Sequence, residues 1–303
     1  MKTAIQTKKE AWLHAVRLRT LPLALASIFA GSIIAEYMEV FRWEIFVLAS
    51  FTTIFLQILS NLANDYGDTI NGADHHERQG PVRAVQSGII SLSEMKTAMY
   101  LFGVLSLLSG LLLLFFAVQS WTLFFVFLGL GLASIWAAIS YTSGSNPYGY
   151  LGLGDISVFL FFGLLGVIGT YFLHSINFDA HAIWIGLSLG FFSTSVLNIN
   201  NIRDIESDQK AGKKSIPVRI GRKAAVIYNW VLIIAGYVSL LGFCIYTNSW
   251  GSCLAFVAFP LMFKIGMNVA NAKTSEETDP NLKKMALGTL LWVILFGIGL
   301  LFL

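Results

Sequence analysis

Nine stretches of this chain run for about twenty residues each with little charge, and few folds are open to such a polypeptide. They lie at about 21–40, 44–63, 97–118, 121–141, 155–174, 181–199, 225–247, 250–270 and 285–303. Each approaches the ~20 residues that a helix needs to cross a hydrocarbon core. Inside that core every backbone amide must be paired within its own segment or within a closed barrel, and no stretch alternates polar with apolar residues as barrel strands do. The expected fold is an all-α integral membrane protein with nine transmembrane helices in one bundle and the lipid bilayer around it. Composition agrees, since only 12% of the 303 residues are charged, against roughly 25% in soluble domains. The first stretch follows Lys2, Lys8, Lys9, Arg17 and Arg19, but no small-residue cleavage site comes after it. It is read as a retained helix.

The basic residues orient the bundle. With the N-terminus inside, the inner segments 1–20, 64–96, 142–154, 200–224 and 271–284 hold five, three, zero, seven and three Lys/Arg, and the outer segments hold only Arg42. Such asymmetry predicts a multi-pass protein of the cell's inner (plasma) membrane with a cytoplasmic N-terminus and an outside C-terminus. The net charge of +3 then reflects topology, and no nucleic-acid partner is expected. Cys244 and Cys253 sit near the outer ends of the seventh and eighth spans without metal or redox spacing and read as packing residues.

Nearly all the polar chemistry is gathered in two inner stretches expected to form cytoplasmic cap loops: NLANDYGDTINGADHHERQGPVR, Asn61 to Arg83, and NINNIRDIESDQKAGKKSIPVR, Asn198 to Arg219. A shift of 136 residues carries Asn64 onto Asn200, Asp68 onto Asp204 and Pro81-Val82-Arg83 onto Pro217-Val218-Arg219. The two copies follow the second and sixth spans. That spacing suits a single domain, 1–303, of two pseudo-repeat halves, about 1–141 and 142–284, with a final helix at 285–303, and polar sites in membrane folds tend to form where repeats meet.

Residues four apart share a helix face, so Asn64 pairs with Asp68, and Asn200 lines up with Asp204 and Asp208. Asp65 is turned away, and Asp74 follows an Asn71-Gly72 turn that could bring its carboxylate back toward Asp68. Carboxylates crowded beside a membrane repel unless a cation lies between them. Magnesium suits oxygen ligands and is usually held by one or two carboxylates plus substrate phosphates; the candidate ligands are Asn64, Asp68, Asp74, Asn200, Asp204 and Asp208. His75 and His76 are neighbours in a loop and are not expected to ligate a metal. Arg78 and Arg83 follow the first cluster, and Arg203, Lys210, Lys213, Lys214 and Arg219 surround the second. Acids and cations together suit a magnesium-bridged diphosphate. No GxxxxGK[ST] loop accompanies them, so the ligand expected in this membrane setting is a lipid diphosphate rather than a nucleotide.

These residues carry a family resemblance. NDYGDTINGAD with GPVRAVQSG, and NNIRDIESDQKAGKKSIPVRIGRKAA, resemble the two aspartate-rich motifs of the intramembrane aromatic prenyltransferases of the UbiA superfamily. RLRTLPLALA and YTSGSNPYGYLGLGD resemble that family's first helix and the segment joining its halves, although SGSNP departs from the glycine-proline wording usual there. The nearest likeness is to the branch acting on 1,4-dihydroxy-2-naphthoate in menaquinone synthesis. The resemblance implies a nine-helix UbiA-like bundle that moves a polyprenyl group from its diphosphate to 1,4-dihydroxy-2-naphthoate, with loss of carbon dioxide and diphosphate, to give demethylmenaquinol. It implies Mg2+, two ions bridging the diphosphate, held by the six ligands above, with Asp68, Asp74, Asp204 and Asp208 catalytic. Arg78, Arg83, Lys213 and Arg219 would hold the leaving diphosphate with Asn64 and Asn200, and Tyr141 would orient the acceptor or shield the allylic cation. Two alternatives stay open from the sequence: a sister prenyltransferase using 4-hydroxybenzoate or homogentisate, and a magnesium or cation transporter. A transporter would need a ring of acids along a continuous path, and the outer ends of the spans offer only Glu36, Glu39, Glu44 and Asp179.

Overall fold

The computed structural model of the chain describes residues 7–72 and 83–303. Among them nine helices are long and apolar enough to cross a membrane: Lys8–Tyr37, Trp43–Ile70, Leu92–Ala117, Trp121–Ser140, Gly154–Ser175, Ala180–Arg203, Ile216–Thr247, Trp250–Asn271 and Ser275–Phe302. No strand occurs among the described residues. The nine match the apolar stretches in number and order, but several run longer. The second span reaches Ile70 rather than residue 63, the seventh starts at Ile216 rather than 225, and the ninth starts at Ser275 rather than 285. Hydropathy reports the part of a helix immersed in lipid, whereas the helix itself continues as long as its backbone bonds are satisfied. The described parts of the two stretches expected as cap loops are therefore largely helical. Residues 64–70 extend the second span, 200–203 close the sixth, and Ile205–Lys210 forms a short helix, leaving 83–91 and 211–215 as irregular chain.

Local chemistry sets several of the ends. Ser91 caps the third span and Glu94 bonds back to it, a reciprocal pair that satisfies two otherwise orphaned amides. Asp179 caps the sixth span through the His181 amide at 2.8 Å. The first span is broken where Arg17 takes a left-handed conformation (φ 52°) and a 3-10 turn at Leu18–Thr20 follows, and Pro22 lies within the first turn of the restarted helix. In the fifth span Phe159–Gly169 is a π-helix. There Gly163 lies against the sixth span so closely that a Cβ on it would stand 2.5 Å from the Gly190 Cα, a backbone approach that only small residues permit in a membrane bundle.

The sixth span is the centre of the molecule. Its apolar window is 72% buried, and it packs against the first, fifth, seventh and ninth spans. Phe192 on it meets Trp292 of the ninth span edge to face at 5.2 Å, and Trp292 stacks on Phe296 at 5.7 Å. The fourth span lies at the other extreme, with 6% of its window buried, which gives it the outward apolar surface that suits lipid. The second span packs on the first, third and fourth. The second and sixth spans thus belong to different groups of neighbours, and the candidate site lies between their polar ends.

Candidate active site

A cavity of about 170 Å3 opens there. Asn64, Asp68 and Arg83 line one side, Asn200, Asp204, Asp208 and Lys213 the other, and Tyr141 stands between. Residues up to 149 positions apart in the sequence are brought into one wall by the ends of two helices.

Asp68 is the best-compensated group in it. Only 2% exposed, it accepts from the Tyr150 hydroxyl at 2.7 Å, pairs with Arg83 at 2.5 Å and pairs with Lys213 at 3.0 Å. Arg83 also donates to the Asn64 carbonyl at 2.7 Å, which ties it back to the second span. Asp65, turned away as its position on the helix requires, accepts from the Ala84 amide at 3.1 Å. Lys213 joins the two acid clusters: its ammonium lies 3.5 Å from Asp208 as well as 3.0 Å from Asp68, and it rests over the Tyr150 ring at 4.8 Å. On the far side Arg203 grips Asp204 with two nitrogens, at 2.8 and 2.6 Å, donates to Asn200 at 2.8 Å, and reaches Asp279 of the ninth span. Such a forked contact is what a guanidinium offers and an ammonium does not.

The connection 141–153 forms one edge of the cavity and is pressed onto it. A Cβ on Gly67 would stand 2.4 Å from the Thr142 carbonyl oxygen, so the second span and this connection touch at backbone distance. Thr142 donates to the Ala63 carbonyl at 3.0 Å and to the Asn64 amide oxygen at 3.1 Å. Gly152, at φ +80°, has the left-handed backbone that glycine adopts without strain, and it lies against the Lys214 carbonyl. These contacts place the Tyr150 hydroxyl on Asp68.

Tyr141 lies where two spaces meet. Beside the polar cavity runs a second one of about 380 Å3, walled mainly by aliphatic and aromatic side chains of the second to fifth spans. Gln57, Asn64, Tyr141, Val158, Phe162 and Leu197 line both. A charged compartment and an apolar one therefore share a wall, with the Tyr141 ring set edge-on to Tyr148 at 5.3 Å within it.

The electrostatics follow from burial and crowding. Burial pushes the Asp208 carboxyl up to about 6, Lys213 counters it, and the like charges of Asp204 and Asp68 add to the rise. Burial and the nearby Asp155 carboxylate hold the Tyr141 phenol well above its ordinary range, and burial with the Asp68 carboxylate does the same at Tyr150. Both phenols stay protonated and can donate. For magnesium, the donor set is right in kind: carboxylate and amide oxygens, with no histidine or cysteine among the described residues of the wall. The Lys213 ammonium marks a position between Asp68 and Asp208 where a cation sits. Among the described residues no three acidic, histidine or cysteine side chains converge as a ready-made metal cage, which fits an ion that keeps several waters and takes its remaining ligands from a phosphate.

Of the residues singled out in the sequence, eight therefore share this cavity: Asn64, Asp68, Arg83, Tyr141, Asn200, Asp204, Asp208 and Lys213. Asp74 and Arg78 lie outside the described residues. Arg219 is exposed and donates to the Leu151 carbonyl, bracing the connection beside the cavity rather than lining it. Tyr150, Asp155 and Arg17 line the cavity and were not among the expected site residues. Arg203 stood among the expected cations but without the forked grip on Asp204. The joining segment that contains Tyr150 and Asp155 carried the only signal for them.

Comparison with known proteins adds to this geometry. Residues 24–292 match the model of the UbiA prenyltransferase family. The chain is 45% identical to a 1,4-dihydroxy-2-naphthoate octaprenyltransferase of Haemophilus influenzae, over 99% of this chain and 98% of that one. It is 42% identical to the enzyme of the same name from Escherichia coli, over 97% and 96%. The fold is similar to that of a UbiA homolog from Aeropyrum pernix K1, with a TM-score of 0.68 and 16% identity over 93% of this chain and 97% of that one. It is also similar to a UbiA homolog from Archaeoglobus fulgidus solved with DMAPP and Mg2+, with a TM-score of 0.63 and 16% identity over 96% and 99%.

Proposed function

The chain belongs to the UbiA prenyltransferase family, and we propose that it transfers a polyprenyl group from an allylic diphosphate to 1,4-dihydroxy-2-naphthoate, releasing carbon dioxide and diphosphate and forming demethylmenaquinol. Two full-length relatives above 40% identity carry the name of that activity. The observation that carries the reading is the shared wall between the acid-and-cation cavity and the apolar one. An amphiphile with a diphosphate head and a hydrocarbon tail is the ligand whose two ends match two such compartments, with its reacting carbon at Tyr141.

Magnesium, as found with substrate in the Archaeoglobus fulgidus homolog, would when bound neutralise diphosphate oxygens and make the diphosphate a better leaving group. Asn64, Asp68 and, by sequence, Asp74 would hold it on one side and Asn200, Asp204 and Asp208 on the other, with two ions proposed. Lys213, now between Asp68 and Asp208, would turn its ammonium to the diphosphate, joined by Arg83 and, by sequence, Arg78; Arg219 would keep the cavity edge in place. Protonated Tyr141 offers a ring face to the allylic cation and a hydroxyl donor to the acceptor. The apolar wall of Val158, Phe162 and Leu197 excludes water, which would otherwise capture the cation before the naphthoate ring does. The polar ends of the spans are assigned to the cytoplasmic side on the distribution of Lys and Arg.

Diphosphate release from a labelled polyprenyl diphosphate tests the reading. It is expected to require both divalent metal and 1,4-dihydroxy-2-naphthoate, and release that persists in excess chelator contradicts the magnesium assignment.

A further inference from the structure

Attack by the ring carbon that bears the acceptor's carboxylate turns the adjacent phenol into a protonated ketone. A base that takes this proton as the ring attacks makes the attacking carbon more electron-rich, and most acids in the cavity are committed elsewhere. Asp68 accepts from Tyr150, Arg83 and Lys213. Asp204 is gripped by Arg203, and Asp208 pairs with Lys213. Tyr141 and Tyr150 are held protonated and are donors, not bases.

Asp155 differs from all of these. It is buried and lines the same cavity at the first turn of the fifth span, outside both acid clusters. Among the described residues its one side-chain hydrogen bond comes from the Tyr228 hydroxyl, at 3.2 Å, and no arginine or lysine pairs with it. It also stands at the junction of the two compartments: a Cβ on the preceding Gly154 would lie 2.8 Å from the Tyr141 hydroxyl oxygen, and Val158, one helical turn on, lines both cavities. The ionisable groups around it are Tyr228 from the seventh span and Tyr141 and Tyr148 from the connection after the fourth. Across the cavity lie Asp68, Asp204, Asp208, Lys213, Arg17 and Arg83.

The geometry points to Asp155 as the catalytic base that takes the acceptor's hydroxyl proton as the ring attacks and returns it after decarboxylation, an inference that rests on the acceptor proposed above. The bond from the ring carbon to the allylic carbon forms as the allylic carbon–oxygen bond to diphosphate breaks. The phenol proton passes to the Asp155 carboxylate, leaving a β-keto acid anion. Its carbon–carboxylate bond then breaks, the electron pair moves to the ketone oxygen, and that oxygen takes the proton back from Asp155. No net proton, oxidant or reductant is consumed, which suits a carboxylate that no cation among the described residues engages.

The test compares purified full-length wild type, D155N and D155E with Mg2+, a polyprenyl diphosphate and 1,4-dihydroxy-2-naphthoate. D155N is expected to lose about 100-fold or more in kcat, within the ~10²–10⁴-fold range of general acid–base catalysis. KM for the prenyl diphosphate should not change, the rise of kcat with pH in the wild type should flatten, and D155E should restore part of the rate. A D155N enzyme within threefold of wild-type kcat overturns the assignment. So does a slow D155N whose pH profile matches the wild type, or one that no longer binds the prenyl diphosphate, since either makes Asp155 structural. If D155N does not fold, D155E decides: lower kcat at unchanged diphosphate KM supports the base, and wild-type kcat refutes it. A wild type that leaves 1,4-dihydroxy-2-naphthoate untouched contradicts the acceptor reading instead, before any variant is compared.

Discussion

Asp68→Asn removes one negative charge from a side chain of nearly unchanged shape, so its effect isolates the charge. Asp68 is 2% exposed, and its two cationic partners, Arg83 and Lys213, have side chains 11% and 15% exposed. Removing one partner from a buried ion pair costs about 3–5 kcal/mol. The cavity lets both cations regain some water, which lowers the expected cost to about 2–3 kcal/mol. If the same charge holds the metal and diphosphate, then at about 1.4 kcal/mol per tenfold the loss in kcat/KM is roughly 30- to 150-fold. The assay is initial rate against prenyl diphosphate at several Mg2+ concentrations in detergent, with Asp179→Asn as the control. Asp179 lies at the other end of the bundle as the cap of the sixth span, and asparagine caps a helix about as well as aspartate. A D68N enzyme within threefold of wild type, with an unchanged Mg2+ requirement, would refute the argument.

Protonation of Asp208, whose carboxyl burial and like charges raise to about 6, would remove one of the proposed metal ligands. The Mg2+ concentration for half-maximal activity should therefore climb as pH falls through about 6 and stay flat above it, and a flat profile from pH 7.5 to 5.5 contradicts this. Gly67→Ala places a Cβ 2.4 Å from the Thr142 carbonyl oxygen, while Gly103 of the third span has nothing within 4 Å of such a Cβ. G67A should lower both the melting temperature and turnover, G103A should change neither, and equal behaviour of the two rules out the close approach as the cause. A cysteine at Ala211, in the irregular chain beside the cavity, should resist an impermeant thiol reagent in intact cells and react once the cells are opened; labelling from outside overturns the cytoplasmic assignment.

The nine spans were legible in the sequence because apolar length is a one-dimensional property and lipid thickness sets it. The ends were not, since residues 64–70 and 200–203 are polar and yet helical. Asn64 with Asp68 was legible because the helical period places residues four apart together; Asn200, Asp204 and Asp208 line the same cavity although the sixth span ends at Arg203 and Asp208 belongs to the next short helix. Tyr150 on Asp68, and Arg203 on Asp279, bridge 82 and 76 residues, and no local spacing foretells which partner a side chain will meet at that range. That no cation among the described residues pairs with Asp155 is a negative property, set by the cations that the fold sends to the other acids, and it becomes visible only when their partners are known. Arg219 shows the converse: its match with Arg83 under the 136-residue shift did not bring it to the same environment, because Arg83 folds in on Asp68 while Arg219 turns to the Leu151 carbonyl.

The activity proposed for the junction of the two cavities is decarboxylative prenyl transfer to a naphthoate. Its most direct test offers the purified protein a polyprenyl diphosphate, Mg2+ and equal amounts of carboxyl-labelled 1,4-dihydroxy-2-naphthoate and 4-hydroxybenzoate, with products identified by mass. The expected result is a prenylated naphthoquinol without its carboxyl group and one labelled carbon dioxide for each product formed. Prenylated benzoate as the main product, or a prenylated naphthoate that keeps its label, would contradict it.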